Sequence, residues 1–180
     1  LKVRMTADWS PLWLSLRVAL MVSAVALLVA PWPAWWMARR NWPAVTLLTR
    51  FLSMVPAVVV ASLAAPVFGW PVAVAAGLVR AVPYTLVKCR AAFQSIDPGY
   101  VKAARMAGAS GWRVFWAVAL PLDGGAALAA AAEVFAETML EMAVALWIIG
   151  RLGVAPAGAI VLTALAGSAL GLWLRREAGR

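Results

Sequence analysis

Apolar residues fall into five long stretches, at about residues 12–37, 45–68, 72–87, 124–149 and 156–174, with polar and basic residues gathered between them. At about 1.5 Å of rise per residue, stretches of this kind are read as crossings of the roughly 30 Å hydrocarbon layer. The pattern predicts an all-α membrane protein with about five transmembrane helices in one domain covering residues 1–180. Pro31 and Pro33 are expected to kink the end of the first helix, and Pro56 and Pro66 interrupt the second. Gly69, Trp70 and Pro71 predict a tight turn into the third. The one extended interruption is residues 88–123, read as a loop on the cytoplasmic side.

Composition agrees with the pattern. With 65% hydrophobic residues, 13% charged residues and a mean hydropathy of +0.89, the chain carries more apolar surface than a water-soluble domain can bury. Residues 1–4 before Met5 read as upstream sequence. The first apolar stretch is too long for a cleavable signal peptide and is expected to remain as a helix. Its single cysteine, Cys89, excludes an internal disulfide and a cysteine-built metal cage. The absence of histidine removes the usual general base, proton relay and metal ligand together. No cofactor, metal or catalytic group is expected.

The net charge of +9 has a spatial pattern. Arg39 and Arg40 follow the first stretch, five basic residues from Lys88 to Arg113 lie between the third and fourth, and Arg175, Arg176 and Arg180 follow the fifth. With five crossings these places share one face, which the positive-inside rule makes cytoplasmic. The N-terminus is then outside and the C-terminus inside. In this setting the basic excess marks loops and lipid headgroups, not nucleic acid. Several of the 11 tryptophans, among them Trp9, Trp13, Trp32, Trp35, Trp36, Trp70 and Trp173, fall near predicted helix ends and read as an interfacial belt. Gly167 and Gly171 in the fifth stretch are spaced for a close helix–helix approach.

Residues 97–122, DPGYVKAARMAGASGWRVFWAVALPL, have a distinct local pattern. Asp97 suits an N-cap and Pro98 the first helical position, so a short helix is expected from here, exposing Lys102 and Arg105 and keeping Ala103, Ala104 and Ala107 as a small-residue face. Gly108 is placed to end it in a left-handed conformation, and Ser110 to cap a second helix bearing Trp112, Phe115 and Trp116. Those aromatics suit an amphipathic segment at the membrane surface, ended by Leu120 and Pro121. Helix, glycine turn, helix is a design that another protein can grip; an ordinary solvated loop is the plainer reading.

This segment resembles the "EAA" loop of the permease subunits of bacterial ABC importers, where a separate ATPase subunit docks. The Lys102-Ala103-Ala104 run, Gly108 and the Leu120-Pro121 pair stand at matching spacing. Pro83, Arg90 and Asp97, the opening DWSPLWLSLRVAL, the Ala38-Arg39-Arg40 run, Glu141 and the Leu174-Arg175-Arg176-Glu177 tail are similar to the molybdate-type oxyanion permeases. The resemblance covers most of the chain. It implies a type I importer fold in the bacterial inner membrane, a homodimeric pore, and partners in an ABC ATPase subunit, a periplasmic solute-binding protein and membrane lipid. Molybdate or tungstate leads as cargo, ahead of phosphate, sulfate or thiamine. Three departures stand out: lysine occupies position 102 where the family usually has glutamate, the chain is short for the family, and the connections after the second and fourth stretches look trimmed. No GxxxxGK[ST] pattern occurs, so ATP hydrolysis is expected in the partner.

Apart from Arg17 and Arg50, near the starts of the first and second stretches, four charges fall inside the predicted spans. Glu133, Glu137 and Glu141 are spaced four apart, so they share one stripe of a helix, and Arg80 sits midway along the third. Facing lipid they would cost a few kcal/mol each near the bilayer centre. An ion pair between Arg80 and this stripe is the expected solution, with a role lining the solute path as the alternative. Two readings of another class use the same glutamates: a membrane enzyme with acid–base or metal-binding carboxylates, and a proton- or cation-coupled carrier that needs no ATPase.

Overall fold

The computed structural model describes residues 9–40, 42–54, 70–148 and 154–178. All regular structure among these residues is helical. Helix α1 (Ser10–Val29) is followed by α2 (Pro31–Ala38), with Ala30 between them. Pro31 has no N–H to offer and starts α2, while Ala30 between the two helices keeps helical angles (φ −75°, ψ −34°). Helix α3 (Pro43–Met54) holds the first part of the second predicted stretch; Pro56, Pro66 and the Gly69 turn lie outside the described residues.

Helix α4 (Trp70–Ser95) continues eight residues beyond the predicted end at Val87. Residues 88–95 are therefore helix and not loop, because nothing from Lys88 to Ser95 breaks one. The stop comes at Asp97, which Pro98 bars from helical geometry; its ψ is 123°. Short helices α5 (Pro98–Met106) and α6 (Gly111–Val114) follow. A π-helical turn (Phe115–Ala119) then runs directly into α7 (Leu120–Ile148).

Leu120 and Pro121 were expected to end the amphipathic helix, and they do not. The proline ring crowds the carbonyl four residues back, and the wider π turn before it accommodates this. The axis instead bends at Asp123 (φ −136°, ψ 15°), just before Gly124 and Gly125. Helix α8 (Val154–Ala178) completes the described chain. By length and composition, two helical stretches among the described residues are apolar enough to cross a membrane, Leu12–Ala38 and Gly111–Val144; Val161–Leu174 is a shorter apolar helix.

Helix α7 is the centre of the packing, in contact with α1, α4 and α8. Val18, Val22 and Ala26 of α1 meet Ala73 and Ala81 of α4 and Val134 of α7. Ala19 of α1 meets Ala136, Met139 and Ala143 of α7 and Ala164 of α8. Helix α8 approaches closely because of its glycine pair. A Cβ on Gly171 would lie 3.1 Å from Glu133 Cγ and 3.2 Å from the Ala129 carbonyl oxygen, and one on Gly167 would lie 3.1 Å from Phe135 Cδ1.

Candidate functional site: the 97–121 loop and the ladder behind it

Local chemistry shapes the loop. Asp97 Oδ1 accepts the Gly99 N–H at 2.7 Å, and Ser110 Oγ accepts the Arg113 N–H at 3.3 Å, so each short helix has its cap. Between them Gly108 is left-handed, with φ +80°. The Ala109 N–H reaches back to the Ala104 carbonyl at 3.0 Å, and the Gly108 N–H to that of Arg105 at 2.9 Å. This closes the C-terminus of α5 in the way a glycine stop allows.

The loop is seated by residues of its own and of helices α2, α4 and α7. Val101, Val114, Phe115 and Ala119 pack with Ala34 and Trp35 of α2, Cys89 and Phe93 of α4 and Ala127 of α7. Phe93 meets Trp35 edge-on at 5.6 Å between centroids, and Phe115 meets Trp32 at 5.1 Å. Two sequence expectations change here. Trp35 is 3% exposed, a core residue and not part of an interfacial belt. In α5 the anchor is Val101; Ala103 and Ala107 point outward with Lys102 and Arg105, while Ala104 is half-buried.

The outer face is therefore polar, basic and small. Tyr100 is 59% exposed and Met106 85%, flanking exposed Lys102, Ala103, Arg105 and Gly108. Leu120 is half-buried and Pro121 exposed, at the far end of the π turn and away from this tip. Arg39, stacked 3.7 Å over the Trp35 ring, has its pKa lowered by partial burial and by the charge of Arg105 nearby. Beside the seat an apolar groove of about 740 Å³ opens between Leu28, Pro31, Trp32, Trp112, Trp116 and Leu128.

Behind the loop, α4 and α7 are tied by a ladder of charged side chains. The Arg80 guanidinium donates Nη1 to Glu141 Oε1 at 2.6 Å and Nη2 to Glu137 Oε2. Glu133 Oε2 accepts the Tyr84 hydroxyl at 2.6 Å and lies 3.7 Å from Lys88 Nζ. Arg80, Tyr84 and Lys88 are themselves spaced four apart, so a stripe on α4 meets a stripe on α7. The sequence reading found Arg80 and the glutamates and missed Tyr84 and Lys88. The repeated spacing was the signal that would have found them. The ladder holds two cations against three carboxylates. Among the described residues no group of three or more side chains is placed to hold a metal ion.

The capped loop, turned at Gly108 and packed onto long apolar helices, is the most distinctive feature of the described residues, and the chain's relatives give its class. The chain belongs to the family of binding-protein-dependent transport system inner membrane components, matched over residues 23–174. Among its relatives, the molybdenum transport system permease protein ModB of Haemophilus influenzae is 30% identical over 151 residues, covering 71% of this chain. The protein of the same name from Escherichia coli is 27% identical over 157 residues, covering 74% of this chain. The match spans 66% of the Haemophilus protein and 69% of the Escherichia protein.

Proposed function

We propose that the chain is the permease subunit of an ATP-driven ABC importer of type I architecture, and that it forms the path for a small oxyanion, molybdate or tungstate. The observation that carries this reading is the 97–121 loop, capped by Asp97 and Ser110, hinged at Gly108 and packed through Val101 and Phe115 onto α2 and α4. A docking surface must pass a push to the spans, and a loop that shares a core with long helices can do so. The family assignment and the two relatives named for molybdenum transport support the solute class. Phosphate, sulfate and thiamine are the alternative cargoes.

In this reading two copies form the pore, each crosses the membrane five times with its N-terminus outside and C-terminus in the cytoplasm, and residues 88–123 belong to the cytoplasmic side. An ABC ATPase subunit docks at Lys102, Ala103, Ala104, Arg105 and Gly108, and a periplasmic solute-binding protein delivers the cargo. Membrane lipid packs along the apolar faces, with the tryptophan-rimmed groove at headgroup level. Closure of the ATPase pair moves the loops as levers and alternates the path between its two sides.

The glutamate ladder braces α4 against α7. Its excess of carboxylate would repel an oxyanion, so Arg80 serves the helix pair and not the cargo. The test is co-purification with an ABC ATPase subunit in detergent, native chain against Gly108→Arg, followed by uptake of labelled molybdate. Capture by the native chain alone, with molybdate uptake that depends on it, supports the reading. A folded native chain that captures no ATPase removes it, and the ladder glutamates then become the leading candidates for a coupled carrier.

A further inference from the structure

The docking segment carries an excess of cations, three against one carboxylate. Between residues 97 and 122 the charged side chains are Asp97, Lys102, Arg105 and Arg113. Asp97 is occupied in capping α5, where it accepts the Gly99 N–H. The three glutamates of α7 are held in the ladder by Arg80, Tyr84 and Lys88. Among the described residues Lys102, Arg105 and Arg113 take part in no ion pair. Arg39 adds a further positive charge nearby; partial burial, and secondarily the charge of Arg105, lowers its pKa. Like charges brought together without a counter-ion destabilise the free protein unless a partner supplies the missing sign.

The shape of the tip narrows the partner further. Lys102 and Arg105 are three apart on α5 and lie on one side of it. Tyr100 and Met106 project beside them, and Met106 is the most exposed large apolar side chain of the described residues. The alanines and Gly108 keep the backbone thin there, so the tip can enter a narrow cleft. A headgroup layer would satisfy the cations but makes no use of the thin backbone beside them. A protein cleft does both.

We infer that the surface receiving this loop is an acidic cleft with an apolar floor: carboxylates face Lys102 and Arg105, and the floor takes Met106 and Tyr100. The inference rests on the docking reading above and specifies the partner's chemistry. It places at position 102 a charge opposite to the glutamate usual in the resembling family, so the matching ATPase surface carries the opposite sign too.

The experiment measures binding of the full chain, in nanodiscs of zwitterionic lipid, to the ABC ATPase subunit it captures, as a function of salt. The native chain is expected to lose about tenfold in affinity between 50 and 300 mM salt, because exposed charge pairs are screened on that scale. Lys102→Glu and Arg105→Glu are expected to weaken binding by about tenfold or more and to flatten the salt dependence, whereas Lys102→Arg retains both. Met106→Ala should weaken binding without changing the salt slope. Both cations are exposed, so the variants should melt with the native chain, which a thermal scan verifies.

Native-strength binding by Lys102→Glu and Arg105→Glu, with no salt dependence, overturns the acidic cleft and leaves the docking reading in place. A native loop that instead binds vesicles of anionic lipid and leaves the ATPase unaffected by these substitutions assigns the cations to headgroups and overturns the inference as well. Failure of the native chain to capture any ATPase overturns both readings together.

Discussion

Arg80 donates to Glu141 at 2.6 Å from a position 61 residues earlier in the chain, and the same guanidinium also holds Glu137. Arg80→Gln would leave two carboxylates facing each other with their cation gone. A loss of about 2–4 kcal/mol is expected, the cost of leaving a buried charge unpaired. Glu137 is the more exposed acid, so Glu137→Gln should cost much less. Thermal unfolding in detergent measures both. The double variant Arg80→Gln/Glu141→Gln should recover part of the loss, and strict additivity would show that the pair is not coupled.

Helix α8 has no room for a methyl group at Gly171, where a Cβ would press on the Ala129 carbonyl oxygen, a backbone atom that cannot rotate away. Gly171→Ala is expected to destabilise by about 1–3 kcal/mol and Gly171→Leu to prevent the α7–α8 pairing. Gly167→Ala, pressing on the flexible Phe135 ring, should be the milder change. Melting temperatures of the three variants rank them; an order with Gly167→Ala worst would contradict this packing.

The turn at Gly108 presents a different problem, because nothing lies within 4 Å of the position a Cβ would take. Only the backbone objects there, with φ at +80°. Gly108→Ala should cost about 1–2 kcal/mol, and Gly108→Asn less, since asparagine tolerates the left-handed region. Hydrogen exchange at residues 107–110 reads the loosening directly. Equal protection in all three proteins would mean that the turn stores no such preference.

Cys89 is 1% exposed and packed in the seat of the loop, so a membrane-permeant maleimide should leave it unmodified until the protein unfolds. In a Cys89→Ala background, Lys102→Cys supplies an exposed thiol at the tip. Labelling of that thiol by a membrane-impermeant maleimide in inverted vesicles but not in intact spheroplasts is expected from the proposed orientation; the reverse pattern would invert the topology.

How much of this was legible in the sequence depended on the range of the forces involved. The Asp97 cap, the Gly108 turn and the Ser110 cap are decided within a few residues, and each is found where the local chemistry placed it. The Arg80–glutamate pairing was legible for another reason: four charges in an apolar setting have few affordable arrangements. Trp35 was not legible. Trp32, Trp35 and Trp36 look alike along the chain, and only Phe93 and Phe115, brought in from distant helices, make one of them core. The length of α4 was underestimated because hydropathy fades at Lys88 while helix propensity does not. The same blindness hid Val101, whose burial, in contrast to the exposure of Met106 in the same helix, depends on the end of α4 folding beneath it.

The π-helical turn at Phe115–Ala119, where the Leu120 N–H reaches back to the Phe115 carbonyl, behaves as a one-residue insertion absorbed inside a helix. Each residue of an α-helix advances the azimuth by about 100°, so the extra one sets the phase between what lies before it and what lies after. At its start, Phe115 faces Trp35 and Phe93; after it, Glu133, Glu137 and Glu141 face α4. Removing a single codon from this turn would leave every other side chain chemically intact and still rotate the two rows more than a quarter turn out of step. Length in this short stretch is thus constrained more tightly than residue identity.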